Sequence, residues 1–194
     1  MLKEIDVELH GRDAGSVVRL RELPAMVADR HARTALAAID EDVSGGVIDL
    51  AMRCVQTVRK LGPRGLDLLM PFVKGDLLGA DAEPIAPLNV RKHIRDWRNV
   101  QVLQDAALLL HAGFVVGRAG LDVPIKLQAQ IALAGGSDIE IKFCAPTIAA
   151  AIDAGMCSYV EANTIVGTEA IYDMLEILNV RALREFADAQ RAQR

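Results

Sequence analysis

Apolar and polar side chains alternate at the start of the chain. One such run, Ile5–Leu9, is followed by the turn-forming residues His10–Gly15 and by a second run, Ser16–Leu23. A period of two residues predicts strands, so we expect a β-hairpin over residues 1–23. The turn lacks the Asn-Gly or Asp-Gly pairs of two-residue loops, which indicates a longer connection.

The apolar spacing changes to that of a helix at Pro24. Proline suits the first helical turn, where its missing N–H would have no partner. The predicted helix has an apolar face and a polar face, formed respectively by Val27, Ala28, His31, Ala32, Ala35, Leu36, Ala38 and Ile39, and by Asp29, Arg30, Arg33 and Thr34. Because an isolated hairpin is barely stable, we expect this helix to cover its apolar side.

Most of the remaining chain also has helical periodicity, interrupted by Gly and Pro. We predict brief helical turns within 65–78, a strand at 138–144, and helices over 47–61, 90–116, 122–134 and 146–154. Two more helices are predicted near the C-terminus, the first with Thr168 as N-cap and an end near Asn179. Residues 79–87 form a candidate hinge. These patterns predict one mainly α domain over 1–194, with helices from residue 24 onward and a small N-terminal β-hairpin.

Composition supports a helical fold and disfavours two functional classes. Hydrophobic residues make up 52% of the 194 residues and aromatic residues only 4%, which favours aliphatic helix packing. The net charge of −4 makes a nucleic-acid partner a poor expectation. The apolar runs are too short to cross a bilayer, and the charged N-terminal residues do not resemble a signal peptide, so we expect a cytoplasmic protein without a membrane partner.

The loop between the first two predicted helices has part of a calcium-binding pattern. Asp40, Asp42 and Ser44 occupy positions 1, 3 and 5 of an EF-hand loop, where oxygen ligands are required. Position 12 needs a bidentate glutamate but is Ala51. We therefore predict no metal site, and expect Asp42 or Ser44 to cap the helix that follows.

A basic cluster surrounds the only tryptophan, Trp97, and comprises Arg91, Lys92, His93, Arg95 and Arg98. A phosphate or nucleic-acid contact is one interpretation of this cluster. A solvated helix face beside a packed tryptophan is the favoured one, because Asp96 interrupts the cluster and the chain is acidic.

Other patterns of catalytic or metal-binding chemistry are missing from the sequence. No two of the four histidines have zinc-ligand spacing, and His31 and His111 fall on apolar helix faces. The three cysteines, Cys54, Cys144 and Cys157, suggest buried free thiols. Without a phosphate loop or a nucleophile elbow, we predict no cofactor and no catalytic residue.

Two segments resemble a known family. The sequence RELPA at Arg21–Ala25, within Val17–Ile39, and the ending AAIDAGMCSYVEANTIVGTEAIYDMLEILNVRALREF at Ala150–Phe186 are similar to tail assembly chaperones of long-tailed bacteriophages. The resemblance implies a non-catalytic protein in the cytoplasm of the infected host. It would bind the phage tape measure protein, help to recruit tail tube subunits, and be absent from the finished virion.

The sequence is also compatible with other functions. The chain could be a structural tail or neck adaptor that stays in the virion, or a regulator or enzyme that uses the basic cluster. Self-association could also bury part of its apolar surface. As a candidate partner-binding surface we take four C-terminal side chains, Leu175, Leu178, Leu183 and Phe186.

Overall fold

The computed structural model describes residues 2–116, 118 and 143–192. Its strands are β1 (Glu4–Glu8), β2 (Val17–Arg21), β3 (Gly75–Leu78) and β4 (Pro84–Pro87). Its helices are α1 (Ala25–Ala37), α2 (Val47–Gln56), α3 (Pro63–Leu69), α4 (Val90–His93), α5 (Trp97–Ala112), α6 (Pro146–Asp153), α7 (Tyr159–Thr164) and α8 (Thr168–Ala192). The predicted helix at 122–134 and residues 138–142 of the predicted strand lie outside the described residues.

The predicted N-terminal hairpin is part of a larger sheet. Strands β1 and β2 pair antiparallel with Val7 opposite Val18, but β2 also pairs with β3, and β3 with β4. The fold is therefore mainly helical with a four-stranded antiparallel sheet, and the prediction of a hairpin alone was wrong. Strands β3 and β4 were missed because one starts with glycine and the other has proline at both ends, and both residues are rare in strands.

The two faces of this sheet differ in polarity. Val18 and Leu20 are fully buried on the inner face, where β1 and β2 contact α5. The outer face carries ion pairs between strands: Asp6–Arg19 at 2.7 Å, Glu4–Arg21 at 2.9 Å and Asp76–Arg21 at 2.6 Å. The edge strand β4 keeps a proline at each end, a feature that disfavours pairing with another chain.

The candidate hinge at 79–87 forms the connection into β4 and that strand itself. The Gly79 N–H donates to the Glu83 carbonyl at 2.9 Å, which closes the turn between β3 and β4. Its role as a hinge stays a prediction.

Helix positions were predicted better than helix ends. The predicted helix at 146–154 is confirmed as α6. The helix predicted over 47–61 ends at Gln56 and continues as a 3-10 turn, and the one predicted over 90–116 is divided into α4 and α5 by residues 94–96. The short helix α7 had not been predicted.

The C-terminal residues form one helix of 25 residues, so the predicted break at Asn179 was wrong. Asparagine within a helix costs less than about 1 kcal/mol, and its neighbours are good helix formers. Thr168 is the first residue of α8 rather than its N-cap. Its N–H donates at 3.0 Å to the carboxylate of the buried Glu22, which caps the helix from a distant part of the chain.

Helix α1 lies between two hydrophobic cores. Ala28, Ala32 and Leu36 pack in the larger core with the sheet, α2 and α5. Ala25 and Met26 pack in a second core with residues of α6, α7 and α8. The helix is therefore covered on two sides, which the prediction of a single apolar face did not foresee.

Asp29 shows the consequence most clearly, because it was predicted on the polar face and is only 1% exposed. Its Oδ2 accepts hydrogen bonds from Arg33 Nε at 2.9 Å and from the Ala145 N–H at 3.2 Å. Burial raises the pKa of Asp29, and the Arg33 guanidinium opposes that shift. The ion pair and the Ala145 contact thus join α1 to the start of α6.

His111 is a core residue, as its apolar helix face predicted. Its Nε2 accepts the Leu23 N–H at 2.9 Å, and its Nδ1 lies 2.6 Å from the Ala107 carbonyl. These contacts require a neutral ring with the proton on Nδ1. Burial lowers the pKa of His111 to about 4.

This pKa predicts a loss of stability in mild acid. His111 binds a proton near pH 6.5 in the unfolded chain, but only near pH 4 in the folded chain. The neutral ring's contribution to the free energy of unfolding is therefore complete above pH 6.5 and falls as the pH drops toward 4. Between pH 7 and pH 5 we expect His111 to account for a loss of about 2 kcal/mol in unfolding free energy, measured with urea.

The control for this prediction is His111→Gln. Burial raises the pKa of Glu22 and of Asp29, so these two groups oppose the histidine by favouring the folded state at low pH. They remain in the variant, and the difference between the two pH profiles isolates His111. Parallel profiles would contradict the assignment of a neutral ring.

Candidate functional site

The side chain of Arg53 contacts the calcium-like loop, the segment 40–51 that has part of an EF-hand pattern. Arg53 Nη1 donates to the Asp42 carbonyl at 2.5 Å and lies 3.3 Å from its carboxylate, while Nη2 donates to the Ser44 carbonyl at 3.2 Å. The guanidinium thus contacts one of the expected ligands, the Asp42 carboxylate, and two backbone carbonyls of the loop. Hydrogen bonds from Ser44 lower the pKa of Asp42, with the nearby Arg53 charge contributing.

The three residues Asp40, Asp42 and Ser44 do not act as helix caps either. Asp42 accepts hydrogen bonds from the Ser44 N–H at 2.8 Å and hydroxyl at 2.5 Å, within the loop. The N-cap of α2 is Gly46, whose N–H donates to Asp49 at 3.2 Å, so the expected capping by Asp42 or Ser44 was wrong. Among the described residues, no cluster of three or more His, Cys, Asp or Glu could hold a metal ion.

The basic cluster is held in place by a buried carboxylate from a distant part of the sequence, Asp13. Asp13 is 6% exposed and accepts hydrogen bonds from the N–H groups of Arg95 at 2.9 Å and Asp96 at 3.0 Å. It also accepts one from Asn99 Nδ2 at 2.8 Å. Burial alone would raise the pKa of Asp13, but these hydrogen bonds outweigh burial and lower it.

This anchor brings Arg12, in the turn between β1 and β2, beside Arg95, Trp97 and Arg98. No pattern in the sequence indicated that Arg12 would lie there. Trp97 is 59% exposed, so the expectation of a packed tryptophan was wrong. The indole stays outside because Trp97 begins α5, whose buried face is formed from Asn99 onward.

The four C-terminal candidate side chains lie along α8. The helix enters the second core through Ile171, which is fully buried, and Leu175 packs partly against that core. Leu178, Leu183 and Phe186 are half-buried and belong to neither core among the described residues. Beyond Ile171, none of the helix residues whose burial is described is fully buried.

Helical geometry places most of these side chains in one row. Steps of three or four residues connect Ile171, Leu175, Leu178, Ala182 and Phe186, and Leu183 lies beside Phe186 on the same side. The row therefore begins in the core and extends along the outer half of the helix. Ile177, which is 53% exposed, lies on the opposite side.

Contacts near its first turns hold α8 in place. The Arg118 guanidinium pairs with Asp173 at 2.9 Å and with Glu176 at 2.8 Å. The rings of Phe114 and Tyr172 pack with their centroids 5.6 Å apart. The start of α8 is thus fixed to residues that follow α5, and its later turns extend from that base.

The three cysteines are buried free thiols, as predicted. Burial raises the pKa of the Cys54 thiol to about 12 and also raises those of Cys144 and Cys157. Because the thiolate is the reactive form, all three are poor nucleophiles at neutral pH.

None of the helices within the described ranges is long and apolar enough to span a bilayer. Comparison of the chain with family models, with curated proteins and with solved structures found no match.

Proposed function

We propose that this chain is a non-catalytic tail assembly chaperone of a long-tailed bacteriophage. It acts in the cytoplasm of the infected host, where it binds the tape measure protein and helps to recruit tail tube subunits. The proposal begins from the resemblance of Val17–Ile39 and Ala150–Phe186 to that family.

The observation that carries the proposal is the apolar row on α8. A row that starts in the core and continues past it gives a client helix a rigid apolar surface on which to pack. Because its base is fixed by Arg118 and by Glu22, little conformational entropy is lost when a client binds. A tape measure protein, being long and helical, presents the complementary kind of surface.

The two resembling segments also meet in the structure. Ala25 in α1 donates its N–H to the Val166 carbonyl at 2.8 Å, and Glu22 accepts the Thr168 N–H. The segment around RELPA therefore supports the start of α8. The Ala25–Val166 hydrogen bond thus joins the start of α1 to the residues just before α8.

Leu178→Asp tests the apolar row. A carboxylate at this position would have to be buried against the apolar client, so we expect at least a tenfold loss of affinity for the tape measure protein. The measurement is co-purification of the two proteins after co-expression, with binding quantified by titration.

The matched control is Ile177→Asp, which makes the same chemical change one residue away on the opposite side of α8. We expect it to bind the tape measure protein as the wild type does. Circular dichroism of both variants tests whether they remain helical. If the wild type and Leu178→Asp bound the tape measure protein equally well, the proposal that α8 is the client-binding surface would be contradicted.

A further inference from the structure

Positive charge gathers around the exposed tryptophan at the start of α5. We name Arg12, Arg95, Trp97 and Arg98 the Trp97 patch; all four side chains are exposed. Within the described part of the chain, none of the three guanidiniums forms an ion pair. They differ in this respect from Arg19, Arg21 and Arg33, which each pair with a carboxylate.

Hydrogen bonds between the β1–β2 turn and the start of α5 fix the geometry of the Trp97 patch. Asp13 accepts hydrogen bonds from the backbone N–H groups of Arg95 and Asp96. The Asn99 side chain donates from Nδ2 to the His10 carbonyl at 2.8 Å, and its Oδ1 accepts the His10 N–H at 3.2 Å. Asp96 caps α5 by accepting the Arg98 N–H at 3.0 Å. Gly11, at φ +63°, lies so close that an added Cβ would be 2.7 Å from Asp96 Oδ2.

We propose that the Trp97 patch binds an acidic segment of a protein partner. Carboxylates of the segment pair with the guanidiniums, and an apolar side chain of the segment covers the indole. Arginine and carboxylate form strong, often bidentate hydrogen bonds. Tryptophan and arginine are also the residue types that dominate binding energy at protein interfaces.

The charge balance favours a protein partner over a nucleic acid. Nucleic-acid binders commonly neutralise about six to ten phosphates. The patch offers three guanidiniums, contains the Asp96 carboxylate at its centre, and belongs to a chain of net charge −4. This is sufficient for a short acidic contact, and the inference does not depend on the function proposed above.

The only tryptophan of the chain reports directly on this surface. The probe is a short synthetic peptide of Asp and Glu around a Leu-Leu pair, and the reference peptide replaces the acids by Asn and Gln. We expect the acidic peptide to shift Trp97 emission to shorter wavelength. Raising NaCl from about 0.1 M to about 1 M should weaken binding, because the screening length falls from about 10 Å to about 3 Å.

Two double variants distinguish peptide binding at the Trp97 patch from a general effect of the protein's positive charge. Arg95→Ala combined with Arg98→Ala should weaken peptide binding at least tenfold, whereas Lys60→Ala combined with Arg64→Ala, which removes the same charge elsewhere, should not. Equal binding of both peptides, no shift in emission, or no effect of the Arg95 and Arg98 changes would overturn the proposal. Tighter binding of an oligothymidylate than of the acidic peptide would overturn it in favour of a nucleic-acid site.

Discussion

Gly75→Ala is expected to destabilise the chain by at least about 3 kcal/mol, measured as unfolding free energy in urea. A Cβ at this position would lie 2.0 Å from the Arg19 carbonyl oxygen, where Gly75 pairs with Leu20. The obstacle is backbone on the paired strand, so it can be relieved only by separating β2 from β3. That separation would expose the fully buried Val18 and Leu20.

Gly79→Ala is the control for this change. The same substitution there places a Cβ 3.1 Å from a methyl of Ile85, an exposed side chain that can rotate away. We expect a change within about 0.5 kcal/mol. If Gly75→Ala were as stable as Gly79→Ala, the register between β2 and β3 would be incorrect.

Asp13→Ala is expected to have a comparably large effect, a loss of about 3 kcal/mol of unfolding free energy. The carboxylate accepts three hydrogen bonds, and its removal leaves the N–H groups of Arg95 and Asp96 without this acceptor. Because Asp13 holds the start of α5 to the turn between β1 and β2, the variant should also disturb the surroundings of Trp97. The emission of that indole provides a second readout.

Asp6→Ala serves as the control because it removes another carboxylate from the same hairpin. Asp6 pairs with Arg19 on the outer face of the sheet, where solvent screens the interaction. We expect a loss below about 1 kcal/mol. Equal losses for Asp6→Ala and Asp13→Ala would show that the buried carboxylate does not anchor α5.

Local signals in the sequence predicted elements whose residues are close together in the chain. The alternation around Ile5–Leu9, and the proline and alanines of α6, led to correct elements because each depends on neighbours a few residues away. Strands β3 and β4 depend instead on pairing with β2, which their own glycine and prolines concealed. The continuous α8 was missed because a single asparagine was given too much weight against a strong helical pattern.

For the candidate sites, too, local features were predictable from the sequence and long-range contacts were not. The residue types in the calcium-like loop and the basic cluster were visible in the sequence, but their roles depend on distant contacts. The Asp13–Arg95 hydrogen bond joins residues 82 positions apart, and it brings Arg12 to Trp97. The burial of Asp29 depends on Ala145, from another core, so no helical wheel of α1 could predict it.

The most direct test of the proposed function uses the intact, tagged chain in phage-infected cells. The protein is isolated during infection, and mass spectrometry identifies what accompanies it; purified virions are analysed in parallel. A chaperone should recover the long helical tape measure protein and be absent from the virions. Recovery without a tape measure protein, or presence of this chain in finished particles, would contradict the account, and the second result would favour a structural tail or neck adaptor.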